Sequence, residues 1–513
     1  MPKEDQFLRD GWSSAAAWTR YCGFIDLSVD QFCGIQQRLL TSQIEEVAGA
    51  FFYKKLVGDT KALSIDEFRR TVPLTSYKDY APYLQDGQSS ALPKEPRYWI
   101  HTSAVKGTFK RVPWTGRFHE LQCRNIISAL ILSSAEGPGD VRVMPGCKLL
   151  NLIPERPFAS AQLAFGLKDQ FSVELIPPPD TSEKLVFIKK IDTAIELGLN
   201  SNVDFVIGMT SSLLKLSDRF PQVIQGVRLS PGALVKLHPA VAWRLLWNRR
   251  DGSQLPKAAW KVKGIIGWGT DSDVFERDFE RQWGKKLLQM YASSESGIMA
   301  MQDWRHGPLV FLPDSVFFEF IPQESLNASN PSTLLINEVE VGKVYEPVIT
   351  SFYGMPFLRY RQGDLVRIVS CDSKENGVPR MTFVGRADDI IDAFGIARLN
   401  TEVVSQALGQ IGLTQREWFL RKEFNQDRVI LRLYIELDSG NDVATVEQRV
   451  SRAVKSIDRH WGEAVYTMGY NPIKIRALPP GTFRRLGDDC ARVHMNPPDS
   501  MIKEIERLAE EES

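Results

Sequence analysis

The chain has no excess of either charge: 63 lysines and arginines stand against 63 aspartates and glutamates in 513 residues. That balance gives no support to nucleic acid or an anionic membrane as the main partner. Long apolar runs are missing too. None approaches the roughly 20 residues that cross a bilayer, and the polar start Met1-Pro2-Lys3-Glu4-Asp5-Gln6 carries no apolar signal core. Cysteine is scarce and scattered. The six cysteines, Cys22, Cys33, Cys123, Cys147, Cys371 and Cys490, include no Cys-x-x-Cys pair, which removes a zinc ribbon and a dithiol redox motif. They read as thiols in a reducing cytoplasm. The histidines are as dispersed, with no His-x-x-x-His pair, and there is no Gly-x-Ser-x-Gly elbow, internal repeat or low-complexity tract.

What is present exceeds one ordinary domain. Residues 1 to about 90 read as helical. In the stretch 32–56, Leu39, Leu40, Ile44, Val47, Ala48, Phe51 and Phe52 recur at spacings of three and four, which gives the helical region one apolar face. Pro73 and the Pro82 region are expected to break the pattern. From about residue 95, β-prone runs at 97–101, 148–153, 204–207, 262–268 and 287–291 alternate with helical patterns, including a buried helix around 126–132. That alternation predicts an α/β core. Runs at 309–312, 316–321, 345–351, 365–370 and 381–384 are more closely spaced and suggest an antiparallel or barrel-like subdomain. A boundary falls at Gly385-Arg386-Ala387-Asp388-Asp389. It divides a large domain, 1–386, from a small α+β domain, 387–513, whose elements are a helix at 401–408, strands at 416–424 and 429–437, and a helix at 446–457. A last charged helix, 500–511, reads as a solvated face.

Three segments carry chemistry. The first is Thr102-Ser103-Ala104-Val105-Lys106-Gly107-Thr108-Phe109-Lys110, between a strand and an apolar helix. Small hydroxyl residues and glycine there let backbone N–H groups face a phosphate, and lysine offsets its charge. The second is Tyr291-Ala292-Ser293-Ser294-Glu295 at a strand end, where ligands of α/β sheets usually sit. A hydroxyl beside a glutamate can hold a phosphate oxygen and, through the carboxylate, magnesium. The third is Tyr360-Arg361-Gln362-Gly363-Asp364, in which an aspartate on a tight glycine turn can accept from both hydroxyls of a ribose. Singly, these are also a helix cap, a turn and an ordinary loop. Together they read as the walls of a nucleotide site.

In these segments the chain resembles the adenylate-forming superfamily, and most of all the plant auxin-responsive acyl-acid amido synthetases and their bacterial relatives. Leu312-Pro313, Phe318-Glu319-Phe320-Ile321-Pro322 and Glu346-Pro347-Val348-Ile349-Thr350 extend the likeness, which covers about residues 30–485. The resemblance implies a catalytic set of Ser294, Glu295 and Lys110. It implies nucleotide binding by Thr102, Ser103, Gly107, Thr108, Tyr291, Ala292, Ser293, Ser294, Asp364 and Arg386. Within that set Tyr291 stacks on adenine, Ser294 meets the α-phosphate, Glu295 holds magnesium, Asp364 takes the ribose hydroxyls and Arg386 contacts the ribose. Asp388 becomes a hinge, and Gly395, Arg398 and Glu402 fit the segment after it. Leu152, Phe205, Ile207, Met209 and Trp268 become candidate walls of an acyl pocket, although each residue type is more often core.

The implied cofactors are ATP and magnesium, and the implied partners a small carboxylic acid with an amine or a thiol acceptor. The activity implied is adenylation of the acid followed by acyl transfer to an amine. Thioester formation shares the first step, and a non-catalytic nucleotide-binding regulator remains a reading of another class.

Two departures separate the chain from the family pattern. Ala104 and Val105 replace a glycine and a threonine of the phosphate loop, with Thr108 in place of its lysine, and Met495 stands where a C-terminal lysine is expected. Arg484 and Lys503 are the nearby basic alternatives. Restoring Ala104→Gly with Val105→Thr is expected to raise acid-dependent pyrophosphate release, because preorganised donors act directly on the departing charge. If both proteins bind nucleotide and neither forms an adenylate with any acid of a broad panel, the regulatory reading wins.

Overall fold

A computed structural model describes residues 14–510 apart from 59–63, 85–88, 103–109, 155, 230–231, 233–234, 248–254, 270–274, 327, 329, 371–375, 388–389, 394–396, 414–416, 426–427, 439, 441, 487–493 and 498. The chain forms two compact units, one of Met1–Thr102 and Lys110–Ala387, the other of Asp388–Ser513.

The first unit begins with helices Ser14–Cys22, Val29–Val47, Phe51–Val57, Ile65–Thr71 and Tyr77–Leu84. Ser28 with Gln31, and Ser64 with Glu67, form capping boxes that satisfy the first N–H groups of two of them. The apolar face read over 32–56 is carried by two helices. The chain leaves helical geometry at Ala50, which is extended at φ −73° and ψ 143°, so the apolar spacing continues across a break in the hydrogen bonding. Pro82 does not end its helix; it lies inside Tyr77–Leu84. In so short a helix, a missing donor at the sixth residue removes few bonds.

A hairpin follows, β1 (Tyr98–His101) antiparallel to β2 (Arg111–Trp114), and it feeds the helix Gly116–Ser134. The central sheet is built from β3 (Lys148–Leu152), β4 (Glu174–Ile176), β5 (Phe205–Met209), β6 (Gly264–Trp268), β7 (Leu287–Ser293), β8 (Gly297–Met301) and β9 (Val310–Phe311). Its order is β4-β3-β5-β6-β7-β8-β9, parallel as far as β7 and antiparallel after it. All five residues of β5 are buried, as expected of a parallel strand covered on both faces. Helix Gly116–Ser134 packs on one face so closely that a Cβ at Gly264 would lie 2.1 Å from Ser133 Oγ. Helices Phe187–Ser201 and Thr210–Leu229 contribute to the core of the other face.

The antiparallel sheet comprises β10 (Val316–Pro322), β11 (Val344–Ser351), β12 (Tyr360–Arg361), β13 (Asp364–Val369) and β14 (Arg380–Arg386), in the order β10-β11-β13-β14 with β12 against β11. The run at 309–312 was expected in this group. It belongs to the central sheet as β9, paired with β8, and meets β14 through a bridge between Leu309 and Met381.

One buried network ties the N-terminal helices to this sheet. Arg359 places Nε 3.0 Å from Glu319 Oε2 and Nη2 3.0 Å from Oε1. Its Nη1 donates to the carbonyls of Arg69 and Val72 at 2.5 and 2.7 Å, and Thr333 Oγ1 donates to Glu319 Oε1 at 2.6 Å. Side-chain exposure is 8% for Arg359 and 1% for Glu319.

In the second unit, β15 (Ile390–Ala393) pairs with β16 (Ala397–Asn400). β17 (Trp418–Asn425) runs antiparallel to β18 (Arg428–Glu436), which is parallel to β19 (Ile473–Leu478). Strand alternation sorts the side chains: Trp418, Leu420, Leu431 and Leu433 pack with helices Thr401–Gln410 and Val443–Ile457, whereas Phe419 and Tyr434 join another cluster. The final helix Asp499–Glu510 belongs to that cluster through Ile502, Ile505 and Ala509. It is docked rather than solvated, because its charges occupy one face and its isoleucines the other. Among the described residues, no helix is long and apolar enough to cross a membrane.

Arg359→Met should lower the stability of the first unit by about 3–5 kcal/mol, the usual cost of leaving a buried charge without its partner. Adding Glu319→Leu should recover part of that loss. Urea denaturation of the three proteins measures it, and an unchanged midpoint in the single variant would contradict the assignment.

Candidate active site

The turn after β7 is shaped before any functional side chain is placed. A register shift between Tyr291 and Ala292 bulges the β7–β8 pair, which re-aims the strand end. Gly297 closes the turn at φ 64°, and an added Cβ there would lie 2.3 Å from Gln122 Cδ. The position accepts only glycine. Gln122 is fully buried and its Oε1 accepts the Ile298 N–H at 2.7 Å. Ser293 Oγ lies 2.6 Å from Ser296 Oγ and accepts the Ser296 N–H at 3.2 Å. Two outside donors fix the backbone between them: Trp114 Nε1 to the Ser294 carbonyl at 2.8 Å, and Ser351 Oγ to the Glu295 carbonyl at 3.1 Å.

The second and third sequence segments meet through two tyrosine–carboxylate bonds. Tyr291 donates its hydroxyl to Asp364 Oδ2 at 2.8 Å, and Tyr360 donates to Glu295 Oε1 at 3.0 Å. Each segment therefore supplies one tyrosine and one carboxylate. Burial, and then the neighbouring carboxylate, push both phenols well above their ordinary range, so both remain protonated donors.

Asp364 pairs in register with Arg386 across β13 and β14. Arg386 Nη1 reaches Asp364 Oδ1 at 2.8 Å and Nη2 reaches the Gln362 carbonyl at 2.9 Å. Gly363, at φ 79°, makes the turn that presents the aspartate. Lys110 Nζ lies 3.7 Å from Glu295 Oε1 and 5.1 Å from the centre of the Tyr77 ring. Tyr77 in turn bonds the Arg111 backbone: its hydroxyl accepts the N–H at 2.8 Å.

The structure thus brings Tyr291, Asp364 and Arg386 into one cluster and Glu295, Tyr360 and Lys110 into another. Thr102 lies at the root of the β1–β2 hairpin, its N–H donating to the Lys110 carbonyl at 3.1 Å. The first segment therefore connects two strands before the chain enters its helix. Ser103, Gly107 and Thr108, with Ala104 and Val105, lie outside the described residues, as do Asp388 and Gly395. Ala292 and Ser293 are the exposed and half-exposed end of β7. In the second unit, Arg398 lies on β16 and Glu402 in the first turn of Thr401–Gln410.

The five candidate acyl-pocket residues do not line one cavity wall. Phe205 and Ile207 are fully buried in the core on one face of the central sheet, while Leu152 belongs to the core on the other. Alternation along parallel strands causes the separation. Met209 and Trp268 stay together, paired at the C-terminal ends of β5 and β6. Met495 is buried in the core of the second unit, so it is a packing residue at the position where a lysine was expected. Sequence reasoning gave no role to Tyr360, Gln122, Trp114 or Ser351. Only Tyr360 had a local signal, its place at the head of the Arg-x-Gly-Asp turn.

Among the described residues no three His, Cys, Asp or Glu side chains converge on a metal site. Glu295 alone fits a magnesium ion that takes its remaining ligands from phosphates and water.

The GH3 family N-terminal domain matches residues 23–144 and the GH3 family central domain residues 309–386. A jasmonoyl–L-amino acid synthetase of Nicotiana attenuata, JAR4, is 38% identical over 422 residues, covering 69% of each protein. An indole-3-acetic acid-amido synthetase of Arabidopsis thaliana, GH3.3, is 29% identical over 217 residues, which span only 39% of this chain and 35% of that relative. The fold is shared with the Arabidopsis GH3.15 acyl acid amido synthetase in complex with 2,4-DB (TM-score 0.58, 17% identity, 99% of this chain and 97% of that one). It is shared also with 2-hydroxyisobutyryl-CoA ligase in complex with 2-HIB-AMP and CoA (TM-score 0.56, 14% identity, 97% and 94%). With two family domains matched and a 38%-identical relative covered over 69% of its length, the chain belongs to the GH3 family.

Proposed function

We propose that this protein uses ATP to adenylate a carboxylic acid and then transfers the acyl group to an amine. One observation carries the reading: Asp364 and Glu295, the two carboxylates suited to ribose and magnesium, are each held by a buried tyrosine from the other's segment. A ribose contact and a phosphate contact are thereby built as one rigid unit.

Asp364 accepts from the ribose hydroxyls, with Arg386 fixing its orientation and contacting the ribose. Tyr291 has two assignable roles: its ring borders the adenine, and its hydroxyl holds Asp364. The Ser294 hydroxyl meets the α-phosphate, and Thr102, Lys110 and the loop between them meet the β- and γ-phosphates. Magnesium, when bound at Glu295, neutralises charge on the transferring phosphate. A substrate carboxylate oxygen bonds to the α-phosphorus, the bond to pyrophosphate breaks, and pyrophosphate leaves. An amine then attacks the acyl carbon, the bond to AMP breaks, and the amine proton is lost. Little acid–base chemistry is required of the first step, which is positioning and charge neutralisation.

Met209 and Trp268, at the sheet's C-terminal edge, are the acyl-pocket candidates that keep their place. Asp388 serves as the hinge on which the small unit turns between the two steps. The amine is preferred to a thiol because the relatives matched in sequence are amido and amino acid synthetases. Free thiols at Cys22, Cys33, Cys123 and Cys147 support a reducing compartment, the cytoplasm. Burial of Met495 favours a second reading, a nucleotide-binding regulator without chemistry.

Acid-dependent pyrophosphate release by the wild type, across a panel of carboxylic acids, separates the two. Asp364→Ala should weaken ATP binding at least about tenfold, since charge-assisted hydrogen bonds contribute about 1.5–3 kcal/mol each. Glu295→Gln should slow pyrophosphate release at least about tenfold while the protein stays folded. Calorimetry that finds unchanged ATP affinity in folded Asp364→Ala would remove that residue from the site.

A further inference from the structure

We infer that Tyr360 is the positioning residue of the metal-binding carboxylate: it engages Glu295 Oε1 and so reserves Oε2 for the cation. The inference rests on the adenylation reading and adds to it the residue that selects which oxygen binds.

Both contacts to the Glu295 side chain converge on the same atom. Tyr360 donates to Oε1 at 3.0 Å, and Lys110 Nζ stands 3.7 Å from that oxygen. Among the described residues Oε2 accepts no hydrogen bond, and the closest approach of Lys110 is to Oε1. An unconstrained carboxylate could rotate and present either oxygen or both. Magnesium demands near-ideal octahedral geometry and takes single carboxylate oxygens with water and phosphate, so a carboxylate with one oxygen already bonded is preorganised for it.

The donor has little freedom to follow a moving partner. Tyr360 is 2% exposed, its ring 5.1 Å from that of Phe357 and 6.2 Å from that of Tyr80. Its backbone pairs with Ile349. The preceding residue, Arg359, is locked by its ion pair to Glu319. The Glu295 carbonyl is held by Ser351. Donor and acceptor are therefore each anchored to β11, through Ile349 and Ser351, and the hydrogen bond sets the carboxylate rather than the reverse. Outer-shell partners of metal ligands commonly contribute a factor of 10–100 in metal affinity.

The test is calorimetric titration of ATP into wild type and Tyr360→Phe, with magnesium and with EDTA, alongside Glu295→Gln and the double variant. Phenylalanine keeps the ring and removes one oxygen, so the packing survives. The expected wild-type result is tighter binding with magnesium than with EDTA. In Tyr360→Phe that gain falls about tenfold while affinity in EDTA is unchanged. In the Glu295→Gln background Tyr360→Phe has no further effect on the gain, which a merely structural tyrosine would not produce. Retention of the full magnesium gain by Tyr360→Phe overturns the positioning role and leaves the adenylation reading intact. A wild type that binds no ATP under either condition overturns the adenylation reading itself, and this inference with it.

Discussion

The arrangement of the site depends on the buried pair of Arg359 and Glu319. Arg359 sits at φ 45°, a conformation rare for a side-chain-bearing residue. It is held there from several directions: its N–H donates to Thr350 Oγ1 at 2.9 Å, its carbonyl accepts the Thr75 N–H at 2.9 Å, and its guanidinium spans Glu319 and two carbonyls near the Ile65–Thr71 helix. An isolated charge pair in a dry interior gains little net stability. Here every member of the network is satisfied, which gives it directional force. The residue after Arg359 is Tyr360, and the turn that follows delivers Asp364. A strained residue at the entrance to a functional segment is where backbone strain tends to be kept.

From that anchor the site follows by short links. Two pairs, each of a neutral phenol and a carboxylate, join the end of β7 to the β12–β13 turn. In a low-dielectric surrounding such bonds are stronger than in water, and they hold the two acids in place. The cations present, Lys110 and Arg386, are themselves paired with those acids. These four side chains are thus balanced in charge among themselves.

The second unit is organised separately, around a three-stranded sheet with apolar side chains on both faces and a docked terminal helix. Its buried Met495 shows how a family position can be given over to packing. A methionine whose backbone bridges Leu420 contributes to the core of that unit, where an ammonium group would lack a partner.

Much of this was legible in the residues. Parallel strands such as β5 are unbroken apolar runs, and the helix 401–410 announces itself with Asn400, whose side chain accepts the Val403 N–H. Local chemistry determined the kinds of group on offer: a hydroxyl beside Glu295, an aspartate after Gly363, donors around Thr102. What the residues did not reveal is non-local. The break at Ala50, the pairing of β9 with β8 and the burial of the terminal helix depend on what each segment meets, which no local pattern encodes. The bond between Tyr360 and Glu295 joins residues 65 apart, and that between Tyr291 and Asp364 residues 73 apart. Leu152 and Ile207 looked like walls of one pocket because hydrophobicity carries no information about which face of a sheet a side chain takes. The sequence by itself determined which side chains stand in the proposed nucleotide site. Only the tertiary structure decided which partners hold each carboxylate, because that depends on strand register between segments far apart in the chain.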